Sequence, residues 1–224
     1  MIFHEYIDSE LLAMGLANRI AGQLNMALKQ QDRALLVVPG GTTPGPVFDD
    51  LCAADLDWDR VDVLLSDERW RPEVHVRSNT RLIRERLLTG RAAAARFLPL
   101  YARTDTPDEA LADLTAAIEP CLPVTVALLG MGTDMHIASI FPKGDNLEQA
   151  LAFDAPVLVA MRVPDEPEPR ITLSARILND AMSKHIVIIG QAKRAALERA
   201  RALPSNVAPV AAVLDDTEVH WALE

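Results

Sequence analysis

Short apolar runs alternate with amphipathic helical segments along this chain, and the alternation restricts the folds that it can adopt. Three runs, Ala34–Val38, Val61–Leu65 and Val124–Leu129, have the length and composition of strands that are buried on both faces. The segment from Ser9 to about Gln31 repeats leucine or isoleucine every four residues, which is typical of a helix that covers a core. Strands that alternate with helices predict right-handed crossovers and a largely parallel sheet. We therefore expect a Rossmann-like α/β fold with helices on both faces of the sheet.

Other segments complete the predicted elements. Further strands are expected at Ile2–Ile7, Phe97–Leu100, Val157–Val163, His185–Ile189, Pro209–Leu214 and Val219–Ala222. A helix is expected at Pro107–Ile118, and a strand followed by a helix at Ile171–Asp180. No internal repeat divides the 224 residues, so we expect residues 1–224 to form a single domain.

Charge and composition narrow the range of partners. The net charge of −10 argues against nucleic acids and anionic membranes, although a local cluster of cations can still bind a small anion. No apolar run approaches the roughly 20 residues of a membrane span, and the N-terminus lacks the apolar core of a signal peptide. Cys52 and Cys121 lack metal-type spacing and are typical of reduced cytosolic thiols. We expect a cytoplasmic protein that is a monomer or a weak homo-oligomer.

Glycines or charged residues follow four of the predicted strands. In a parallel sheet the carboxyl ends of the strands lie at one edge, which is where ligands bind in open α/β folds. We expect the turns at Gly40, Asp67, Gly130 and Gly190 to meet at this edge and to form one site.

The first of these turns has the features of a phosphate-binding loop. Gly40 and Gly41 allow the backbone to approach a ligand closely, and Thr42 and Thr43 supply hydroxyl groups. Pro44 suits the first turn of a helix, where free N–H groups bind phosphate. The loop is not a Walker loop, because no Gly-Lys-Ser/Thr follows it.

His136 is the candidate for a general base. It follows Gly130, Gly132 and Asp134, and because Asp134 is a good N-cap we expect His136 in the first turn of a short helix. The positive end of a helix dipole disfavours an imidazolium ion, so it would keep the ring neutral, as a base requires. The carboxylate of Asp134 acts in the opposite direction.

Asp67, Arg69, Arg170 and Lys193 supply further charges near the predicted edge. A metal site is not indicated, because a closely spaced pair of histidine ligands is missing. A dinucleotide fingerprint is weak because Met135 replaces its third glycine, and no serine lies in a nucleophile elbow. The residues therefore predict acid–base chemistry on a small phosphorylated molecule, without a cofactor.

These segments resemble those of the 6-phosphogluconolactonase family. The matching stretches are GGTTP at Gly40–Pro44, SDERW at Ser66–Trp70, SN at Ser78–Asn79, GMGTDMHIASIFP at Gly130–Pro142, PRITLS at Pro169–Ser174, GQAK at Gly190–Lys193 and VHWAL at Val219–Leu223. They cover nearly the whole chain in the order of the family. The resemblance implies an α/β fold, no metal, and hydrolysis of 6-phosphoglucono-δ-lactone to 6-phosphogluconate in the pentose phosphate pathway.

The resemblance also implies roles for individual residues. The Gly40–Thr43 loop, Arg170 and Lys193 would hold the 6-phosphate of the lactone, and His136 would activate water. Asp67 and Arg69 would line the site near His136. Independently of the resemblance, attack on a lactone carbonyl requires donors for the developing oxyanion, and the backbone N–H groups of the Gly130–Gly132 loop are candidates.

Two residues depart from the family pattern, which often reads Asp-Gly-His-Thr around the histidine. This chain has Met135 before His136 and Ile137 after it. From Met135 we expect a loop that needs no glycine-only backbone angle and a site that the side chain narrows. Ile137 removes a hydroxyl group that other members offer to the ligand or the loop.

Two alternative functions remain open at the level of sequence. Glucosamine-6-phosphate deaminases of the same fold family carry an acidic residue five positions after the histidine, where this chain has Phe141, and they lack an arginine at the position of Arg69. A non-catalytic sugar-phosphate sensor would keep the phosphate anchor without the chemistry, and it would be expected to lack His136.

Overall fold

A computed structural model describes residues 1–164 and 166–224; Asp165, in the proline-rich loop before Arg170, lies outside the described residues. The strands are β1 (Ile2–Glu5), β2 (Ala34–Val38), β3 (Val61–Leu65), β4 (Asp67–Arg69), β5 (Arg96–Leu98), β6 (Val126–Gly130), β7 (Leu158–Met161), β8 (Arg170–Leu173), β9 (Ser183–Ile189) and β10 (Thr217–Ala222). The α-helices are α1 (Ser9–Leu28), α2 (Gly45–Leu51), α3 (Asn79–Arg86), α4 (Leu111–Ile118), α5 (Leu147–Leu151), α6 (Ala175–Asn179) and α7 (Gln191–Ala200).

The main sheet has seven strands in the order β1-β10-β9-β6-β2-β3-β5, and each of its strand pairs is parallel. From β2 the chain builds outward through β3 and β5, and it then returns to place β6 on the other side of β2. The carboxyl ends of β2 and β6 therefore form the switch point at which a doubly wound sheet offers a ligand crevice. The predicted α/β fold with a largely parallel sheet, flanked by helices, is confirmed.

A second sheet stands beside this edge and was not expected from the sequence. It contains β4, β8 and β7 in that order, and both of its strand pairs are antiparallel. The Asp67–Arg69 segment forms β4, where a turn was expected from the sequence. The second sheet therefore carries the charged segment and Arg170, at the start of β8, to the same place.

Helix α1 covers the main sheet as its four-residue repeat predicts. Leu16, Ile20 and Leu24 are fully buried in the core. The N-cap of α1 is Asp8 rather than the expected Ser9. The Asp8 carboxylate accepts a hydrogen bond of 2.8 Å from the backbone N–H of Leu11.

The predicted strand at Pro209–Leu214 is wrong. Residues Pro209–Val213 form a 3₁₀ helix that starts at the proline. Proline lacks the N–H group that a sheet ladder needs, and its fixed φ angle suits the first position of a helix, so Pro209 favours the helical turn over a strand. No helix within the described residues has both the length and the apolar character needed to cross a membrane.

A chain of buried and partly buried hydrogen bonds connects α1 to β9, β10 and the end of β1. Gln23 Oε1 lies 2.8 Å from His185 Nε2, His185 Nδ1 lies 3.1 Å from His220 Nε2, and His220 Nδ1 lies 2.9 Å from the Tyr6 hydroxyl. If Gln23 accepts, each ring has one donor and one acceptor in use, which fits two neutral imidazoles. Burial lowers the pKa of His185 to about 4 and that of His220 to about 3.

We expect these histidines to make the fold sensitive to acid. Their folded-state pKa values lie below the value of about 6.5 in an unfolded chain, so the unfolded state binds more protons. The stabilisation is complete above a pH of about 6.5 and is lost as the pH falls towards about 4. In urea unfolding, His185→Gln should reduce the stability difference between pH 7.5 and pH 5 by about 2 kcal/mol relative to wild type.

His75→Gln, a change in a partly exposed loop histidine, is the matched control and should keep the wild-type pH dependence. An identical pH dependence for wild type and His185→Gln would show that His185 is not held neutral by the fold.

Candidate active site

A cavity of about 280 Å³ lies at the carboxyl edge of the main sheet, between the switch point and the second sheet. It is lined by residues that the sequence predicts for the site, namely Gly40, Gly41, Thr42, Thr43, Asp67, Arg69, Gly130, Gly132, His136, Arg170 and Lys193. The remaining predicted residue, Asp134, does not line the cavity but contacts His136 behind it. Asn79, Met131 and Ala138 also line the cavity, although they were not expected in the site from the sequence.

The loop after β2 packs closely against Asn79, the first residue of α3. A Cβ atom at Gly40 would lie 2.0 Å from Asn79 Oδ1, so this close approach requires glycine at position 40. The Asn79 amide also donates a hydrogen bond of 2.9 Å to the carbonyl oxygen of Asp67. The next residue, Gly41, has a φ of 86°, a left-handed angle that favours glycine.

Glu68 explains why a strand of charged residues is buried. Its side chain is fully buried, and its carboxylate accepts backbone hydrogen bonds from Asn79 and Thr80, both of 2.8 Å. It also accepts from the hydroxyl groups of Ser78 at 3.0 Å and Thr80 at 2.8 Å. Glu68 therefore fixes the N-terminus of α3, and with it Asn79, against β4. The Ser78, Asn79 and Thr80 donors lie ten or more residues away in sequence, so no local pattern indicates this role.

Asp67 links three parts of the cavity wall. Its carboxylate accepts hydrogen bonds from the hydroxyl groups of Ser66, at 2.9 Å, and Ser139, at 2.6 Å. The Arg170 guanidinium lies 4.0 Å away. Because both carboxylate oxygens already accept hydrogen bonds from serines, this geometry favours a structural role for Asp67 over that of a free base.

His136 and Asp134 form a hydrogen-bonded dyad. The Nδ1 atom of His136 lies 2.6 Å from Asp134 Oδ1. Burial acts to raise the pKa of Asp134, but the hydrogen bonds and charge of His136 outweigh it and hold that pKa below its usual value. A Cβ atom at Gly132 would lie 2.4 Å from both His136 Nδ1 and Asp134 Oδ1, so the dyad fits only beside a glycine. With Nδ1–H directed at Asp134, Nε2 is left to accept a proton.

The predicted helix at His136 is wrong, since Gly132–Pro142 contains no α-helix. The Asp134 carboxylate accepts from the backbone N–H of His136, at 3.3 Å, and thereby closes a local turn instead of capping a helix. No helix dipole is available here to act on the imidazole. The hydrogen bond from His136 Nδ1–H to Asp134, rather than a helix dipole, leaves Nε2 able to accept a proton.

One expectation for Met135, that its side chain narrows the site, is wrong. Its φ of 68° lies in the left-handed region, so the loop does adopt the geometry that glycine favours. Its carbonyl oxygen accepts a 3.0 Å hydrogen bond from Val210, which holds the loop in this turn. Met135 is not among the residues that line the main cavity; it lines a neighbouring one. It therefore does not narrow the site.

Ile137 and Gly132 likewise differ from the expectations. Ile137 is fully buried in the core, so a hydroxyl group at this position would face the protein interior rather than the cavity. The N–H of Gly132 donates to the carbonyl oxygen of His136 at 3.1 Å. It is therefore not a free donor for an oxyanion.

Three cations face the cavity. Arg69 and Arg170 are cross-strand partners on β4 and β8, and the Nε atoms of both are buried without a hydrogen-bond partner in the part of the chain that the structure describes. Burial lowers the pKa of Arg69, and the neighbouring Arg170 lowers it further. Lys193 lies in the first turn of α7, and burial lowers its pKa as well. Such partly desolvated cations, next to a glycine loop, provide the electrostatics of an anion site.

A different cluster of potential metal ligands lies on β1 and β10. His4, Glu218 and His220 bring potential ligand atoms within 4.8 Å of one another, and they are the group within residues 1–164 and 166–224 that meets this spacing. Both ring nitrogens of His220 already have hydrogen-bond partners. The rings of His4 and His220 are stacked 4.9 Å apart, so their lone pairs do not converge. We assign no metal to this cluster.

Comparison with known proteins places these features in context. The family model described as glucosamine-6-phosphate isomerases/6-phosphogluconolactonase matches residues 7–221. A 6-phosphogluconolactonase from Pseudomonas aeruginosa is 42% identical over 216 residues, which cover 93% of this chain and 90% of that protein. One from Rhizobium meliloti is 37% identical, with 98% of this chain and 97% of that protein covered.

Solved structures show the same architecture. A 6-phosphogluconolactonase from Shewanella baltica superimposes with a TM-score of 0.94 and 32% identity, over 100% of this chain and 97% of that one. A monomeric glucosamine-6-phosphate deaminase has a TM-score of 0.81 but only 16% identity, over 99% and 97% of the two chains. The second similarity supports the fold alone.

The left-handed turn at Met135 predicts an unusual order of stability for two variants. Met135→Gly and Met135→Ala remove the same side chain, but only alanine keeps the Cβ that is unfavourable at positive φ, by roughly 1–2 kcal/mol. We expect Met135→Gly to be more stable than Met135→Ala by about 1 kcal/mol in urea unfolding.

In helix α7 the order should reverse, so Ala195→Gly should lose about 1 kcal/mol and serves as the control. Should Met135→Ala equal or exceed Met135→Gly in stability, the loop does not hold the left-handed turn in solution.

Proposed function

We propose that this chain, which belongs to the glucosamine-6-phosphate isomerase/6-phosphogluconolactonase family, uses His136 as the general base of its reaction. The reaction is the hydrolysis of 6-phospho-D-glucono-1,5-lactone to 6-phosphogluconate, a step of the pentose phosphate pathway. The assignment of His136 rests on its 2.6 Å contact with Asp134 at the wall of the anion-binding cavity.

The dyad supplies the proton transfers of lactone hydrolysis. Asp134 holds Nδ1–H, so Nε2 of His136 takes a proton as water attacks the C1 carbonyl carbon. The bond between C1 and the ring oxygen then breaks, and the ring oxygen takes the proton from the imidazolium to become the C5 hydroxyl. The new carboxylic acid loses its proton at neutral pH, so the product carries one more negative charge than the substrate.

The cations bind the phosphate and stabilise the oxyanion. Lys193, Arg170 and the Gly40–Thr43 loop hold the 6-phosphate, and Arg69 supplies positive charge for the oxyanion that forms at C1. Asp67 orients Arg170 and, through Ser139, the loop that follows His136. No cofactor is invoked in these steps.

The neighbourhood of His136 disfavours the two alternative functions. At the position of the deaminase acid, the Phe141 ring lies 4.3 Å from the His136 ring and beneath the Arg170 guanidinium at 5.5 Å. An aromatic ring provides no carboxylate for ring opening of an amino sugar. A non-catalytic sensor would not require the hydrogen-bonded Asp134–His136 pair.

We further propose that residues 1–224 act as one cytoplasmic domain, as a monomer or weak homo-oligomer, without a nucleic-acid or membrane partner. The parallel pairing of β1 with β10 in the main sheet supports a single domain. The net charge of −10 supports the absence of polyanionic partners.

Replacing His136 tests the proposed base. His136→Asn removes the proton acceptor, so kcat should fall by about 10²–10⁴ while KM changes little. Rates must be corrected for the spontaneous hydrolysis of the lactone. His75→Asn, a loop histidine outside the cavity, is the control and should keep wild-type rates. If His136→Asn retains more than about a tenth of wild-type kcat, the base is another group.

Replacing Lys193 tests the phosphate anchor. Lys193→Ala should raise KM for the phosphorylated lactone by about 10- to 150-fold, with a small effect on kcat, because the contact persists from ground state to transition state. The same variant should behave like wild type with the unphosphorylated lactone. Lys29→Ala, at the exposed end of α1, is the control. An unchanged KM in Lys193→Ala would remove Lys193 from the site.

A further inference from the structure

Glu166 contacts a cation of the proposed phosphate anchor. Its Oε2 atom lies 2.5 Å from the Nη2 atom of Arg170, and it also lies 3.5 Å from the guanidinium of Arg77. The side chain of Glu166 is 30% exposed, whereas that of Arg170 is only 6% exposed. The pair therefore joins a buried cation at the cavity wall to an acid that water reaches.

The two acids that face Arg170 differ in how firmly they are held. Asp67, 4.0 Å from Arg170, also accepts hydrogen bonds from Ser66 and Ser139, and it is buried. The carboxylate of Glu166 has only arginine partners among the described residues. Glu166 is thus the acid that a competing anion displaces more easily.

Contacts other than Glu166 also hold Arg170 in position. Its guanidinium packs over the Phe141 ring at 5.5 Å, and its backbone pairs with Arg69 in the second sheet. Its Nε atom has no hydrogen-bond partner in the described residues. An anion that enters the cavity can therefore bind Arg170 without a rearrangement of the arginine itself, but it must compete with Glu166.

We infer that Glu166 sets the affinity of this site for phosphorylated ligands, because it occupies Arg170 until the phosphate of the ligand displaces it. The inference rests on the proposed function for the assignment of Arg170 to the phosphate. Glu166 is then a residue that limits affinity and speeds the release of a product that carries more charge than the substrate. Charge competition of this kind acts on every phosphorylated ligand of the site, including substrate, product and inorganic phosphate.

Charge removal at Glu166 tests the inference. We expect Glu166→Gln to lower the Kd of 6-phosphogluconate and of inorganic phosphate, measured by calorimetry, by about 3- to 5-fold, the upper part of the range for an exposed ion pair. KM for the phosphorylated lactone should fall by a similar factor. Glu168→Gln is the matched control, because Glu168 pairs with Arg71 and Arg77 but not with Arg170. It should leave both Kd values within about twofold of wild type.

Two double variants identify the cation through which Glu166 acts. In an Arg170→Gln background, Glu166→Gln should no longer tighten binding, whereas in an Arg77→Gln background it should still do so. Melting temperatures of all variants check that the fold is intact. Unchanged or weaker binding in Glu166→Gln, or tightening that persists without Arg170, overturns the inference. A wild-type protein that binds neither probe contradicts the proposed function instead, so the two failures are distinguishable.

Discussion

Two consecutive carboxylates, Asp67 and Glu68, are buried where the chain leaves the main sheet for the second one. A buried charge is stable only when donors and cations surround it, so the chain must bring such groups to this point. The backbone N–H groups at the N-terminus of α3 and nearby hydroxyl groups donate hydrogen bonds to Glu68. Ser139 donates a hydrogen bond to Asp67, and the Arg170 guanidinium lies beside it. The groups that stabilise these two buried acids therefore also form much of the cavity wall.

The same requirement relates the catalytic loop to the phosphate anchor. Asp67 contacts Ser139, which follows the His136 loop, and it lies beside Arg170 on the second sheet. The His136 loop is itself shaped by local contacts, since Asp134 binds both the ring and the backbone of His136. A distortion at Asp67 would therefore reach both the base and the anchor, although His136 lies in a loop after β6 and Arg170 lies on the second sheet.

Much of the architecture was predictable because buried parallel strands are continuous apolar runs. Ala34–Val38 and Val61–Leu65 form β2 and β3 as expected, and the rule for parallel sheets then places their carboxyl ends at one edge. The strand β4 was missed because three charged residues show no apolar pattern, and the donors that bury Glu68 are remote in sequence. The turn at His136 was missed because Asp134 is equally suited to cap a helix or to close a local turn.

The central claim is that this cavity hydrolyses a lactone that it holds by a phosphate group. The most direct measurement compares the hydrolysis of freshly prepared 6-phosphoglucono-δ-lactone and of unphosphorylated glucono-δ-lactone by the wild-type protein, each corrected for the enzyme-free rate. The account predicts rapid turnover of the phosphorylated lactone and a kcat/KM for the other that is lower by at least about 10-fold, the minimum for one lost charge-assisted contact. Hydrolysis of the phosphorylated lactone at the enzyme-free rate, or equal kcat/KM values for both lactones, would contradict it.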